Sequence, residues 1–109
     1  MASTQDFVDY VIDQIGLHDL SYKKMFGEYG VYLSEKVFGF VCDNTLFIKI
    51  LPENESLGGD LERGPAYPGS KDYYIVDESH LEDKEWLQEF VQKTAEAVPE
   101  KKKKSGTTK

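Results

Sequence analysis

Apolar and aromatic residues gather between Tyr22 and Leu51, and there they alternate with a period suited to strands rather than helices. Val37–Cys42 and Thr45–Ile50 are β-branched and aromatic runs separated by Asp43-Asn44. Both turn residues tolerate positive φ, so the pattern predicts a two-residue hairpin. Ser34-Glu35-Lys36 is placed to fold the preceding run, Tyr29–Leu33, back onto it, and Tyr22–Phe26 supplies a strand before that. Asp72–Val76 reads as the last strand. The chain as a whole predicts an antiparallel sheet of about four or five strands.

Two longer segments change to helical spacing. In Ser3–Ile15, residues Phe7, Val8, Val11, Ile12 and Ile15 share one face; Ser3 with Asp6 resembles a capping box, and Gly16 suits the residue past the end. In Glu85–Val98, residues Trp86, Leu87, Phe90, Val91, Thr94 and Val98 share a face, with Asp83 placed to cap the start and Pro99 fitting the end. Between sheet and second helix, Pro52-Glu53-Asn54-Glu55 can open a short helix with Leu57 and Leu61 inward, although Gly58-Gly59 weakens it. Gly64–Gly69 reads as irregular, and Glu78–Asp83 as a helical turn. The fold class is therefore α+β: an N-terminal helix, an antiparallel sheet and a C-terminal helix. Residues 1–99 are expected to form a single domain, and the lysine-rich residues 100–109, with no apolar side chain, a disordered tail.

The strands carry apolar residues on both faces. Strict alternation turns Val37 and Val41 one way and Phe38, Phe40 and Cys42 the other, while Leu46, Ile48 and Ile50 oppose Thr45, Phe47 and Lys49. Two helices with single apolar stripes can cover one face, leaving Phe38, Phe40 and Phe47 as a candidate partner surface. Exposed apolar patches of that kind usually mark an interface, and a two-fold homodimer is the commonest way to bury one. The competing arrangement folds Pro52–Gly69 across that face, with Leu57, Leu61 and Tyr67 as cover.

Charge narrows the partners. Residues 100–109 hold five lysines and one glutamate; without them the 13 basic and 20 acidic residues fall to 8 and 19, a net charge of −11 for residues 1–99. Such a surface is a poor match for phosphate backbones, leaving only a local patch at Lys23 and Lys24, helped by the tail, as a nucleic-acid reading. No apolar run is long enough to cross a membrane and no signal peptide is evident, and the single cysteine, Cys42, cannot form an internal disulfide; a reducing cytoplasm is the expected compartment. Cys42 has no cationic neighbour to activate it, so a small apolar role is the simpler one. His18 and His80 belong to no Cys/His cluster, and no metal or cofactor is expected. The acids near helix starts are explained by the helix dipole. Tyr29, Tyr67 and Tyr73 offer a further alternative, a pocket for a small molecule.

The stretch Lys24-Met25-Phe26-Gly27-Glu28-Tyr29-Gly30-Val31-Tyr32-Leu33 resembles the N-terminal domain of the TfoX/Sxy competence regulators, and so do Lys36–Lys49 and the later Tyr73-Tyr74-Ile75-Val76-Asp77-Glu78-Ser79-His80-Leu81-Glu82-Asp83 segment. Phe26, Gly27, Tyr29, Gly30, Tyr73 and Tyr74 carry the motif. The resemblance implies a secretion-chaperone-like fold, no catalytic residues, and a non-enzymatic interaction or regulatory module linked to transcription. In full-length regulators this domain precedes a helical C-terminal domain, whereas here the lysine-rich tail follows. Independently of that resemblance, the two glycines Gly27 and Gly30 suggest a bulge or a close backbone approach.

The acidic balance generates a first prediction. Lys23 and Lys24 should give no appreciable DNA affinity in a gel-shift assay at low salt; tight, salt-sensitive retention that disappears in Lys23→Glu/Lys24→Glu would contradict it.

Overall fold

A computed structural model describes residues 5–25 and 28–98, and of Met25 only the backbone. The Ser3 cap, Phe26, Gly27, Pro99 and the tail lie outside the described residues. The elements run α1 (Gln5–Ile15), β1 (Leu20–Met25), β2 (Glu28–Leu33), β3 (Lys36–Cys42), β4 (Thr45–Ile48), a single 3-10 turn (Pro52–Asn54), α2 (Glu55–Gly58), β5 (Glu62–Pro65), β6 (Asp72–Val76), α3 (Glu78–Leu81) and α4 (Lys84–Ala97). The described strands make one six-stranded antiparallel sheet in the order β1-β2-β3-β4-β6-β5. That is one strand beyond the predicted range. The addition, Glu-Arg-Gly-Pro, has no apolar alternation and falls partly in the stretch read as irregular; main-chain pairing with β6 holds it as an edge.

The predicted turns take the expected form. Asp43 and Asn44 have φ of 53° and 55°, and Ser34 and Glu35 have φ of 52° and 68°. Two consecutive positive-φ residues match the right-handed twist of the strands they join. Gly16, at φ 63°, ends α1 with its N–H donating to the Ile12 carbonyl at 2.9 Å. Asp83 caps α4 by accepting from the Trp86 N–H at 3.2 Å.

Both long helices pack on the same face of the sheet. Val8, Val11 and Ile15 of α1 and Leu87, Phe90, Val91 and Ala95 of α4 meet Tyr29, Val31, Val41, Leu46, Ile48, Tyr74 and Val76 in the main core, all buried. Leu57 and Leu61 join this core rather than the opposite face, so they do not supply the cover envisaged for it. Gly58 explains how: a Cβ there would lie 2.7 Å from Cζ of Phe90, so only glycine lets α2 settle against α4. Of the Gly58-Gly59 pair that weakens the local helix signal, Gly58 is thus what lets it pack.

A buried polar knot fixes the crossover between sheet and helices. Asn54 and Thr94 are both fully buried. The Asn54 amide donates to the Lys49 carbonyl at 2.9 Å and to Thr94 Oγ1 at 2.7 Å, its oxygen accepts from the Leu51 N–H at 3.1 Å, and Thr94 donates onward to the Phe90 carbonyl at 2.7 Å. By occupying the backbone groups of residues 49 and 51, Asn54 turns the chain out of the sheet. Hence β4 stops at Ile48 rather than continuing to Ile50, which is 37% exposed.

The main correction concerns β3. The β2–β3 register runs Val31↔Gly39 and then Tyr32↔Val37, leaving Phe38 as the extra residue of a bulge. The extra residue breaks the alternation, and Phe38 enters the helix-side core with no exposed surface. It therefore does not share a face with Phe40 and Phe47. Next to it, a Cβ on Gly39 would sit 2.0 Å from the Phe47 carbonyl oxygen. A close approach is required at Gly39; Gly30 stands in β2, buried, opposite Lys23 and Phe40.

Two substitutions test these constraints by denaturant unfolding. Gly39→Ala should cost about 3 kcal/mol, because a main-chain atom must move to admit the methyl group. Asn54→Ala should cost about 2–3 kcal/mol by removing the hydrogen bonds that the Asn54 side chain makes to the buried Thr94 hydroxyl, the Lys49 carbonyl and the Leu51 N–H. Melting unchanged from the parent in either variant would contradict the corresponding constraint.

Candidate functional site

The sheet face away from the helices carries the candidate surface. Cross-strand register lines up Phe40 of β3, Phe47 of β4 and Ile75 of β6 in one row, continued by Gly30 and Lys23 at one end and Glu62 at the other. Cys42, Phe47, Ala66 and Tyr73 form the buried part of this second cluster, and Phe40 and Ile75 are half-buried against it. Nearby on the same face Tyr32 and Val37, a cross-strand pair, are half-buried as well.

Cover comes from the loop after β5. Tyr67-Pro68-Gly69-Ser70 closes with the Ser70 N–H donating to the Tyr67 carbonyl at 3.0 Å, and Gly69 has φ 88°. Proline followed by a positive-φ glycine is the chemistry of a type II turn. Ser70 Oγ accepts from the Ala66 N–H at 2.9 Å and donates to the Lys71 carbonyl at 2.9 Å, holding the loop over the sheet. Ala66 is buried there, and Tyr67 stands edge-on to Phe40, 6.4 Å between centroids at 90°, yet stays 50% exposed. Tyr73 meets Phe40 edge-on at 5.6 Å. The segment 52–69 thus covers this face only through its last residues, leaving an apolar rim of Phe40, Val37, Tyr32 and Ile75 partly open.

The electrostatics of the cluster suit packing, not acid–base work. Burial, then Glu28 and Asp43, pushes the Cys42 thiol up to about 11. Burial, then Tyr67 and Cys42, raises the Tyr73 phenol above its ordinary range. A thiol held in this state is a poor nucleophile, in line with the small apolar role expected of it.

The other sequence-derived candidates are dispersed. Tyr29 lies in the helix-side core, edge-on to Tyr22 at 5.6 Å, whereas Tyr67 and Tyr73 lie on the opposite face; the sheet separates them, so they line no common pocket. Tyr73 and Tyr74 likewise part to the two faces, as neighbours in a strand must. Tyr74 is fully buried, its ring tilted at 49° to Phe90 with 5.8 Å between centroids and the Arg63 guanidinium 5.3 Å from its ring centre, and its hydroxyl has no hydrogen-bond partner among the described residues. Lys23 and Lys24 are consecutive and exposed on edge strand β1, so their side chains leave opposite faces rather than forming one patch. His18 lies in the turn before β1. His80 sits beside Asp77 and 4.7 Å from the Trp86 ring. Among the described residues no group of three or more His, Cys, Asp and Glu is placed to hold a metal, and no helix is long and apolar enough to cross a membrane.

Sequence reasoning missed Ile75 and Ala66 as members of the second cluster. The Pro-Gly pair after Ala66-Tyr67 is a signal for a loop returning over its own strand, but only the sheet order says which face it meets.

Comparison with known proteins gives two matches. The family model described as the TfoX N-terminal domain matches residues 14–98. A relative from Spirochaeta aurantia, "Uncharacterized 12.7 kDa protein in trpE 5'region", is 36% identical over 110 residues, covering 100% of this chain and 95% of the relative.

Two titrations check the electrostatics. With its pKa at about 11, Cys42 is thiolate in only about one molecule in a thousand at pH 8, so alkylation by iodoacetamide should run about 100-fold slower than for an unhindered cysteine. A rate like that of free cysteine would contradict it. Asp77 accepts at one oxygen from His80 Nδ1 (2.7 Å), the His80 N–H (2.9 Å) and Ser79 Oγ (2.9 Å), which lower its pKa to about 2. A lowered carboxylate pKa gives stability that is complete above the ordinary value of 3.8 and is lost as pH falls through about 2. Carboxyl NMR titration should place the Asp77 midpoint in that lower range; a midpoint at the ordinary value would remove the cap's pH-dependent contribution.

Proposed function

The chain belongs to the TfoX N-terminal domain family, and on that premise we propose that it is a small non-enzymatic interaction module, serving regulation through protein contacts and docking through its second sheet face onto a second copy of itself. The observation that carries this reading is the half-covered apolar row of Phe40, Phe47 and Ile75. Its buried members give the face a rigid floor, while Phe40, Ile75, Val37 and Tyr32 keep surface to offer a partner. A patch of this kind is self-complementary under a two-fold axis, which lets one surface serve both subunits. The thiol and phenol at its centre are held neutral, which favours dry packing over catalysis. Net charge opposes rather than drives the association: each copy carries −7, so salt that screens the repulsion should strengthen the dimer.

Sedimentation at micromolar concentration tests the reading. The expected species has twice the 12.4 kDa chain mass. Phe40→Glu, or the milder Val37→Glu, should give a folded monomer with unchanged circular dichroism. Phe47 is 8% exposed and is the wrong position to charge, since a carboxylate there would disrupt the fold itself. A single 12.4 kDa species that does not change on tenfold concentration and in higher salt would overturn self-docking.

A further inference from the structure

The two edges of the sheet differ. Edge β5 has four residues and ends on Pro65, which has no N–H to give, and the chain then folds back over the sheet. Edge β1 has six residues without proline, and Ser21, Tyr22, Lys23 and Lys24 are all exposed. The Ser34 N–H donates to the Asp19 carbonyl at 3.0 Å, making Asp19–Ser34 a hydrogen-bonded pair at the end of the β1–β2 ladder. Antiparallel pairs alternate between bonded and non-bonded positions. With the register Leu20↔Leu33 through Met25↔Glu28, Ser21, Lys23 and Met25 therefore bond inward to β2. The N–H and C=O groups of Leu20, Tyr22 and Lys24 point outward, to the open side of the sheet.

Charge selects among possible occupants. Lys23 and Lys24 make no ion pair among the described residues, in a chain of net charge −7. Edge lysines discourage indiscriminate strand pairing. Pairing β1 with β1 of a second copy would gather four lysines on one short ladder, so self-addition here is opposed. A nucleic-acid strand carries a charge at every residue and needs a run of basic contacts that two lysines in an acidic domain do not supply, whereas a peptide with one carboxylate facing each lysine needs only those two. Beside Lys23 lies a shallow depression of about 370 Å³ lined by Ser21, Tyr22, Lys23, Tyr32 and Glu35, which has room for an incoming side chain and polar atoms to meet it. We propose that β1 is a strand-addition site for an extended acidic peptide of a protein partner, held by the outward backbone groups of Leu20, Tyr22 and Lys24 and selected by Lys23 and Lys24 on either side of the strand. The site borders the second-face surface and shares Lys23 and Tyr32 with it, so the two readings are told apart by their readouts: sedimentation reports self-docking, whereas peptide anisotropy and amide shifts at Leu20, Tyr22 and Lys24 report strand addition.

The probe is a capped, fluorescein-labelled octapeptide of threonines around one central glutamate pair, which places one carboxylate on each face of the added strand, with a counterpart bearing lysines in place of the glutamates and a version N-methylated at alternate residues. Anisotropy should show binding of the glutamate peptide that weakens about tenfold in Lys23→Gln/Lys24→Gln, and on N-methylation, and falls with added salt. Lys23→Glu/Lys24→Glu should reverse the preference toward the lysine peptide. Amide NMR shifts should be largest at Leu20, Tyr22 and Lys24. No binding, equal binding of the lysine peptide, indifference to N-methylation, or shifts centred elsewhere would each overturn the proposal. So would a single-stranded oligonucleotide that displaces the peptide from β1 and binds more tightly.

Discussion

Much in this molecule depends on the one-residue bulge at Phe38 and the glycine that follows it. A regular β3 would place Phe38 beside Phe40 and leave a gap under the helices. The extra residue sends one phenylalanine into each layer: Phe38 into the helix-side core and Phe40 onto the opposite face. The backbone can then pass the Phe47 carbonyl only because Gly39 has no Cβ. Two cores are built from one strand at the cost of a single irregular step in a ladder, a modest local loss against the burial of a whole aromatic ring.

The two layers differ in kind. The helix-side core is closed: α1 and α4 meet each other and the sheet, and the Asn54–Thr94 pair locks the crossover with every donor and acceptor of the Asn54 side chain engaged. Trp86 adds a second tie, donating from Nε1 to the Leu57 carbonyl at 3.1 Å while stacking on Phe90 at 4.8 Å. The opposite layer is partial, roofed at one end by a Pro-Gly turn and open along Val37, Tyr32 and the exposed part of Phe40. That asymmetry is the physical basis for proposing the second face as a docking surface.

The most perturbed groups among the described residues are held in structural roles. Asp77 is depressed by capping α3 and pairing with His80, and Cys42 is raised by burial among acids. Neither combination makes a base beside a nucleophile. The open features are a half-covered apolar row and a cationic edge strand in an acidic chain, and each is matched to a different class of protein contact.

Helices, hairpin turns and fold class were legible in the sequence because each depends on neighbours within a few residues: apolar spacing in α1 and α4, Asp43-Asn44 at positive φ, Asp83 as a cap. So was the presence of apolar residues on both sheet faces. The membership of those faces was not. Alternation assigns Phe38 to the wrong layer because a bulge is decided by how β2 and β3 seat together, which no local pattern encodes. Edge strand β5 has almost no strand signature, since its pairing is through the main chain to β6. Gly58 reads as a helix defect until Phe90, 32 residues further along, arrives to need the space. Periodicity along the chain determined the elements; contacts between residues distant in the chain decided which side chains are buried, which are shared, and which are left to bind.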